Sequence, residues 1–566
     1  MPLLRKNNLS ILLVIFLGSL SWSLTMVKSG LIYPFGMGFW GPNGHDGVWH
    51  LALINSLSRG SWEMPIFSGE NIRNYHIGFD LILAWIHKLT QIPAITLYFQ
   101  ILPTLLAVLV GWLTYRFVML WRNSSREALW ATFFVYFAGD FGWIVTLIRN
   151  KQIGGESLFW SQQSISTLIN PPFAMSLVLL LSGAILILKL KNKFSIWHLA
   201  LAIIFFGLLA EIKIYAGILA LAGLLVIGIY QLIKSGKFTF LSIFGGSAVL
   251  SMLLFLPLNS GSQKMIVFQP FWFLETMMAV SDRFGWPRFY EALMNYKTGH
   301  IFLKLIPAYF IAFLIFLVGN MGTRVVGVYG IIKNKLWRKF SQIDLFLLVM
   351  ASLGIILPMF FLQSGTPWNT IQFFYYSLFV MSILSGIWLA QQKTWLIILV
   401  VLLTLSTTIG TLSLSYLPMR PPAKISHQEL AALKFLEKQP QGVVLTYPFD
   451  EYKAELAVNN PPRPLYLYAS SAYVSAFSQH PTYLEDEINL NITGFDWRNR
   501  REKSMLPFDS LNQEEVQKFL ADNKIHYLYL VLNQTPVFGQ RFRLGEGQLG
   551  LTNIFENQEV VIYRVN

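Results

Sequence analysis

Residues 11–24 read ILLVIFLGSLSWSL, an apolar run with Arg5 and Lys6 just ahead of it. Within a span near 9–27 this reads as a membrane helix, and the basic pair holds its start in the cytoplasm. No small-residue cleavage site of the A-x-A kind follows, so the helix is expected to be retained. Ten similar runs lie downstream. Spans are expected near 98–119, 128–139, 172–190, 196–211, 214–233, 239–257, 301–320, 344–362, 373–391 and 394–416. That makes about eleven, a polytopic α-helical membrane protein. The composition agrees. Only 13% of the 566 residues are charged and 54% are hydrophobic, whereas soluble domains carry about 25% charged residues.

The net charge of +14 does not point to nucleic acid. Basic residues cluster in short loops at Arg116/Arg122/Arg126, Lys189/Lys191/Lys193, Lys234/Lys237, Arg324 through Lys339, and Lys393. This is the pattern of cytoplasmic loops. The opposite loops are then outer ones, and they are unequal: 28–97 and 258–300 are long, and 140–171 is intermediate. Gly78 to Ile86 is too short to span, so it reads as an interfacial helix within the first of them. Cysteine is absent, which removes disulfides and thiolate metal sites.

Composition changes at Leu417-Pro418-Met419-Arg420-Pro421-Pro422, which breaks the last helix. Residues 1–417 are therefore read as the transmembrane domain, and 418–566 as a soluble extracytoplasmic domain. In the latter, Ser426-His427-Gln428-Glu429 is a capping box before a helix. Gly442–Tyr447 reads as a strand, and Asn512-Gln513-Glu514-Glu515 opens a second helix. Ile525–Leu532 and Phe555–Val565 each read as one further strand. Helices alternating with strands predict a small α/β domain.

The segment Gly44-His45-Asp46-Gly47-Val48-Trp49-His50 follows the first span on the outer side. A carboxylate at a membrane surface is costly unless used. Asp46 is thus a candidate general base for an acceptor hydroxyl or amine, or a ligand for a divalent cation. The plainer role is a helix cap, or a pair with Arg59 or Arg73. Asp46 and His50 are spaced i, i+4 and could share a helical face. Glu63 and His76 are further candidates in the same loop, while Glu70 sits in what reads as an exposed turn. Asp140, flanked by Gly139 and Gly142 at the outer end of the third span, is a second candidate catalytic carboxylate. Lys213 in Glu211-Ile212-Lys213-Ile214-Tyr215 lies at membrane depth. It suits a phosphate as a point charge or pairs with Glu211. Gln372 opens the tenth span among aromatics, a composition that suits a sugar or an interfacial belt. No Walker loop, dinucleotide fingerprint, H-E-x-x-H or G-x-S-x-G occurs. An ATP-driven pump, a zincin or a serine lipase is therefore not expected.

In order and sidedness these motifs resemble the GT-C superfamily of membrane glycosyltransferases, which includes protein O-mannosyltransferases, aminoarabinose transferases and the RgtA/B/C/D-like group. Asp46 falls at that family's loop-one acidic residue, Tyr75-His76 is similar to its His-Pro-Pro segment without the prolines, and Asp140 matches its second acidic position. Lys213-Ile214-Tyr215 resembles its Lys-Tyr motif. Gly47 stands where many members carry Glu, and Gln372-Phe373 where many carry Arg-Tyr. The resemblance implies transfer of a sugar from a polyprenyl-phosphate-linked donor to a glycan, lipid or protein outside the plasma membrane. In it Asp46 and Asp140 are catalytic, with Lys213, His50, His76, Glu63, Tyr215 and Gln372 binding substrate. A divalent cation (Mg, Mn or Zn) on Asp46 and Asp140 is an optional part of that scheme. Three alternatives stay open: a flippase or transporter of lipid-linked glycan, a polysaccharide polymerase or ligase, and a non-catalytic anchor for the outer domain.

Overall fold

The computed structural model describes residues 8–259, 261, 266–333, 341–534, 547 and 549–566. The basic residues Arg5 and Lys6, and the part of the fourth-loop cluster in 334–340, lie outside the described residues. The chain forms two compact units, Met1–Thr25 with Leu102–Leu417 and Met26–Ile101 with Pro418–Asn566. The break at Leu417/Pro418 falls where the helix-breaking prolines stand. The long loop 28–97 clusters with the C-terminal residues, whereas the reading of 1–417 as one domain groups it with the spans.

The first unit is a helical membrane bundle. Each of the eleven expected runs holds a helix. Among the described residues, eight helices are long and apolar enough to cross a membrane. Ser125–Phe137 and Gly142–Asn150 form a ninth if this pair, bent by 45°, is one span. Leu9–Ser23 and Ile196–Ile212 are shorter apolar helices. The most enclosed helix runs through Pro367–Leu389. Its small residues allow this. A Cβ at Gly386 would lie 2.3 Å from the Ala131 nitrogen, so the two backbones touch as small-residue helix contacts in membranes do. Its Ser377 hydroxyl donates to the Ala351 carbonyl at 2.7 Å.

One expectation is overturned here. Arg324 was read as part of a cytoplasmic loop, and it is a buried residue 1% exposed. Phe302–Met321 does not end at a loop. It breaks at Gly322–Arg324 and continues as Val325–Lys333. The break places a guanidinium inside the bundle, where protein acceptors rather than water satisfy it.

The second unit is mixed α and β. One four-stranded sheet orders Leu31–Tyr33, Gly36–Phe39, Ala423–Ile425 and Arg463–Pro464, with Met37 opposite Ile425. The first loop thus supplies two strands to a sheet that the C-terminal residues complete. The other sheet orders Val443–Thr446, Ile525–Val531, Val560–Val565 and Leu551–Glu556. Its first pair is parallel and the others antiparallel. The run expected as one strand, 555–565, is therefore two strands of a hairpin. Asn557 makes the turn, its side chain accepting from the Glu559 and Val560 amides at 3.0 and 2.8 Å. Both predicted helix starts hold. Ser426 and Glu429 form a reciprocal capping box on His427–Glu437, and the Asn512 side chain accepts from the Glu515 amide.

Three carboxyls of this unit are raised by their surroundings. Burial pushes Glu429, Glu485 and Asp486 each up to about 7. An acid raised on folding binds more protons native than unfolded, so its contribution is complete below the unfolded value near 4 and is lost as pH rises toward 7. We expect the unfolding temperature to climb as pH is lowered from 7.5 to 5.5. Each group contributes at most about 1.4 kcal/mol per pH unit. Thermal melts across that range test this, and Glu429→Gln should flatten the slope. A melting point that falls on mild acidification would refute it.

Candidate functional site

Asp46 begins the helix Asp46–Ser58, directly after the single turn Gly41–Gly44. From Gly47 to Leu57 this helix is buried, so a rigid element carries the carboxylate. The Asp46 side chain is itself 49% exposed, and its Oδ1 lies 3.0 Å from His45 Nδ1. Desolvation lowers the His45 pKa, but the Asp46 charge and hydrogen bond outweigh it and the imidazole is raised overall. The alternative partners are engaged elsewhere. Arg59 donates to Gln479 at 3.0 Å, and Arg73 lies 3.9 Å from Glu70 and over the Phe495 ring.

His50 lies one turn on from Asp46 on the same helix, and its ring nitrogen is engaged by another carboxylate. Its Nδ1 lies 2.7 Å from Asp80 Oδ1, with the two side chains 4% and 0% exposed. Asp80 was missed because one carboxylate among the apolar residues of 78–86 reads as an interfacial helix residue. It sits in Gly78–Thr90, whose Ile82, Trp85 and Leu89 are exposed while Phe79, Leu83 and Ala84 are buried. The His50 ring stacks on Tyr98 at 5.4 Å and meets Tyr75 at 6.4 Å. Tyr75 in turn stacks on the buried His76 at 4.7 Å. His50 and His76 thus form one aromatic cluster under the Asp46 helix. Glu63 stands apart, closing the turn 63–71 by accepting from the Gly69 amide at 2.7 Å. A further carboxylate, Asp486, is close enough to Asp46 and His45 to be felt by both. It takes a left-handed conformation, φ 50°, and accepts from the Asn489 amide and side chain at 3.0 and 2.8 Å.

Gly47, where a Glu was looked for, has a steric reason. A Cβ there would lie 2.6 Å from Phe99 Cζ and 3.2 Å from Tyr98 Cε1. The helix is pressed onto the π-helical turn Leu97–Ile101. Gly47→Glu should therefore destabilise the protein by roughly 1–3 kcal/mol, the usual cost of overpacking. A melting curve of the variant identical to wild type would contradict this packing.

The remaining expected site residues belong to the membrane unit. Lys213 is 3% exposed and sits at the break between Ile196–Ile212 and Ile214–Ser235. Its Nζ donates to Asn170 Oδ1 at 3.2 Å. Tyr215 packs edge-on against Phe373 at 4.9 Å, and Phe373 directly follows Gln372 at the start of Gln372–Leu389. Lys213, Tyr215 and Gln372 are thus brought to one neighbourhood.

Asp140 is 2% exposed. The Thr407 hydroxyl lies 3.1 Å from its backbone carbonyl oxygen and 3.2 Å from its Oδ1. Glu156, which no local motif marks, accepts from the Gln163 amide at 3.0 Å and from Thr411 Oγ1 at 2.9 Å. Thr407 and Thr411 are four apart on Thr394–Thr411, so one helix face holds both carboxylates. Arg324 spends all five of its donors on protein. They reach Ser382 Oγ (2.8 Å), the Gly139 carbonyl (3.3 Å), Gln163 Oε1 (2.7 Å), the Ala138 carbonyl (2.8 Å) and Ser164 Oγ (2.9 Å). Gln163, Ser164 and Arg324 also line a cavity of about 30 Å³, room for about one water.

Among the described residues, no three His, Asp or Glu side chains gather as metal ligands.

No family model and no curated protein sequence matches the chain. Solved structures do. The chain is similar to AglB and ArnT. The archaeal oligosaccharyltransferase AglB of Archaeoglobus fulgidus, in complex with an inhibitory peptide and a dolichol-phosphate, matches at 12% identity and a TM-score of 0.48. The match covers 92% of this chain and 69% of that one. Apo ArnT of Cupriavidus metallidurans matches at 9% identity and a TM-score of 0.45, covering 98% of each chain.

Proposed function

We propose that this multi-pass membrane protein is a glycosyltransferase. It moves a sugar from a polyprenyl-phosphate-linked donor to an acceptor outside the plasma membrane. The observation that carries the reading is Asp46, a half-exposed carboxylate at the first turn of an otherwise buried helix, with His45 hydrogen-bonded to it. A base needs access to its substrate and a fixed position, and this arrangement supplies both. In the reaction the acceptor oxygen attacks the anomeric carbon, the bond from that carbon to the phosphate oxygen breaks, and Asp46 takes the acceptor proton. The polyprenyl phosphate leaves. Lys213, buried in the apolar unit, would offer it a point charge, with Tyr215 and Gln372 around it. His50 and His76 hold the helix that carries Asp46, and Glu63 holds the loop beside it. Asp140 is locked by Thr407, which favours a role in shaping its turn over proton transfer. The N-terminus lies in the cytoplasm and the C-terminal domain outside.

Transport is the reading that the bent helix pair and the break at Arg324 would favour. Arg324 argues against it, because its donors are all engaged and leave none for a passing substrate.

The test is sugar transfer by the purified protein from a labelled pool of polyprenyl-phosphate sugars, beside Asp46→Asn. Transfer by wild type alone supports the proposal. No transfer from any donor in the pool rejects it.

A further inference from the structure

The second unit carries an open groove of about 740 Å³ beside the short helix Glu451–Leu456. That volume lies in the range of small-molecule sites. Three rings line it: Tyr447, Phe449 and Tyr452. Tyr452 is 70% exposed, and among the described residues no other ring packs on it. Glu451 and Glu455 also line the groove. They are four apart and share one helix face, and among the described residues no hydrogen bond or ion pair engages either side-chain carboxylate. Arg501 braces the wall: it donates to the Phe449 carbonyl at 2.6 Å and pairs with Glu487.

The groove does not stand alone. Tyr447 and Phe449 also line a narrower cavity of about 40 Å³, which Asp486 and Tyr468 line from the other side. Tyr468 stacks with His45 at 6.4 Å, and His45 holds Asp46. Tyr447 and Phe449 thus border both the groove and the cavity that Asp486 and Tyr468 share, all within the unit that carries Asp46.

We propose that this groove binds the saccharide acceptor and delivers its end toward Asp46. The chemistry selects the class. Flat exposed rings take the apolar face of a pyranose. Unpartnered carboxylates accept from its hydroxyls, which are donors an apolar partner lacks. The delivery step rests on the glycosyltransferase reading above, while the binding step does not.

The experiment is saturation-transfer difference NMR on the full chain in a detergent without a sugar headgroup. The probes are maltotetraose, mannotetraose, galactotetraose and chitotetraose, with tetralysine as a competitor class. Saturation transfer to at least one saccharide is expected. Tyr452→Ala should weaken it roughly fivefold to tenfold, the value of one aromatic contact. Glu451→Gln with Glu455→Gln should weaken it as well. Trp62→Ala, an exposed ring outside the groove, should not. No saccharide signal, a signal that Tyr452→Ala leaves unchanged, or binding of tetralysine alone overturns the proposal. Two further outcomes separate the readings. Tyr452-dependent saccharide binding without any sugar transfer keeps the groove and rejects the transferase. Transfer whose acceptor KM ignores Tyr452→Ala keeps the transferase and rejects the groove.

Discussion

Arg324→Met should lower the stability of the protein by about 3–5 kcal/mol, the cost of removing one partner from a buried charged network. The five bonds explain the size. Without the guanidinium, the Ala138 and Gly139 carbonyls and Gln163 Oε1 each lose a donor, and the adjoining cavity has room for about one water, too few to serve all three. The local backbone gives no way to relax. Gly322 has φ 52°, and a Cβ there would lie 2.1 Å from the Gly139 carbonyl oxygen, so the chain on both sides is already in contact. Arg324→Lys should recover only part of the loss, because an ammonium has three donors and no planar fork. The effect should also reach function. Gln163 and Ser164 lead through the turn Ser164–Ile169 to Asn170, which accepts from Lys213. One guanidinium thus orders the turn that bears Asp140 and the segment that meets Lys213. Intrinsic-fluorescence melts in detergent measure the loss. An Arg324→Met melt within a degree of wild type would remove Arg324 from this role.

Arg324 also shows where a sequence stops being legible. A basic residue after Gly322 and before more lysines satisfies every local rule for a cytoplasmic loop. What reverses that reading is five acceptors from residues 138–139, 163–164 and 382, none of which is near it in sequence. Asp80 is the same case, since its partner His50 lies thirty positions away. The elements that were legible are those set by neighbours. Apolar length marked the helices of the bundle, and Ser426 and Asn512 marked helix starts through bonds three residues on. The hairpin at 551–565 was missed for a local reason, because Asn557 interrupts an alternation that otherwise continues. Grouping the first loop with the C-terminal residues depends on pairing Met37 with Ile425, which neither stretch announces. At the site, sequence order picked out Asp46 and the Lys213–Tyr215 pair. It gave no sign of Glu156, Asp486 or the groove beside Tyr452, whose parts meet only in the folded unit.

Asp46→Asn should cut sugar transfer by about 10²–10⁴-fold, the usual contribution of a positioned general base, while leaving stability almost unchanged. The two halves of this expectation have separate causes. Asparagine keeps the shape, and the side chain is half exposed, so little packing is lost. It cannot accept the acceptor proton. The neighbourhood sharpens the test, since removing the Asp46 charge removes what raises His45 and one of the charges that raise Asp486. Both groups should then titrate lower, which NMR of a labelled His45 ring can follow without any turnover. If the substitution stabilised the protein and also abolished transfer, the carboxylate would be a group held for chemistry against a structural cost. If transfer survived at near wild-type rate while His45 shifted as expected, Asp46 would be an electrostatic neighbour only. Asp486, buried beside it, would then be the carboxylate to replace next.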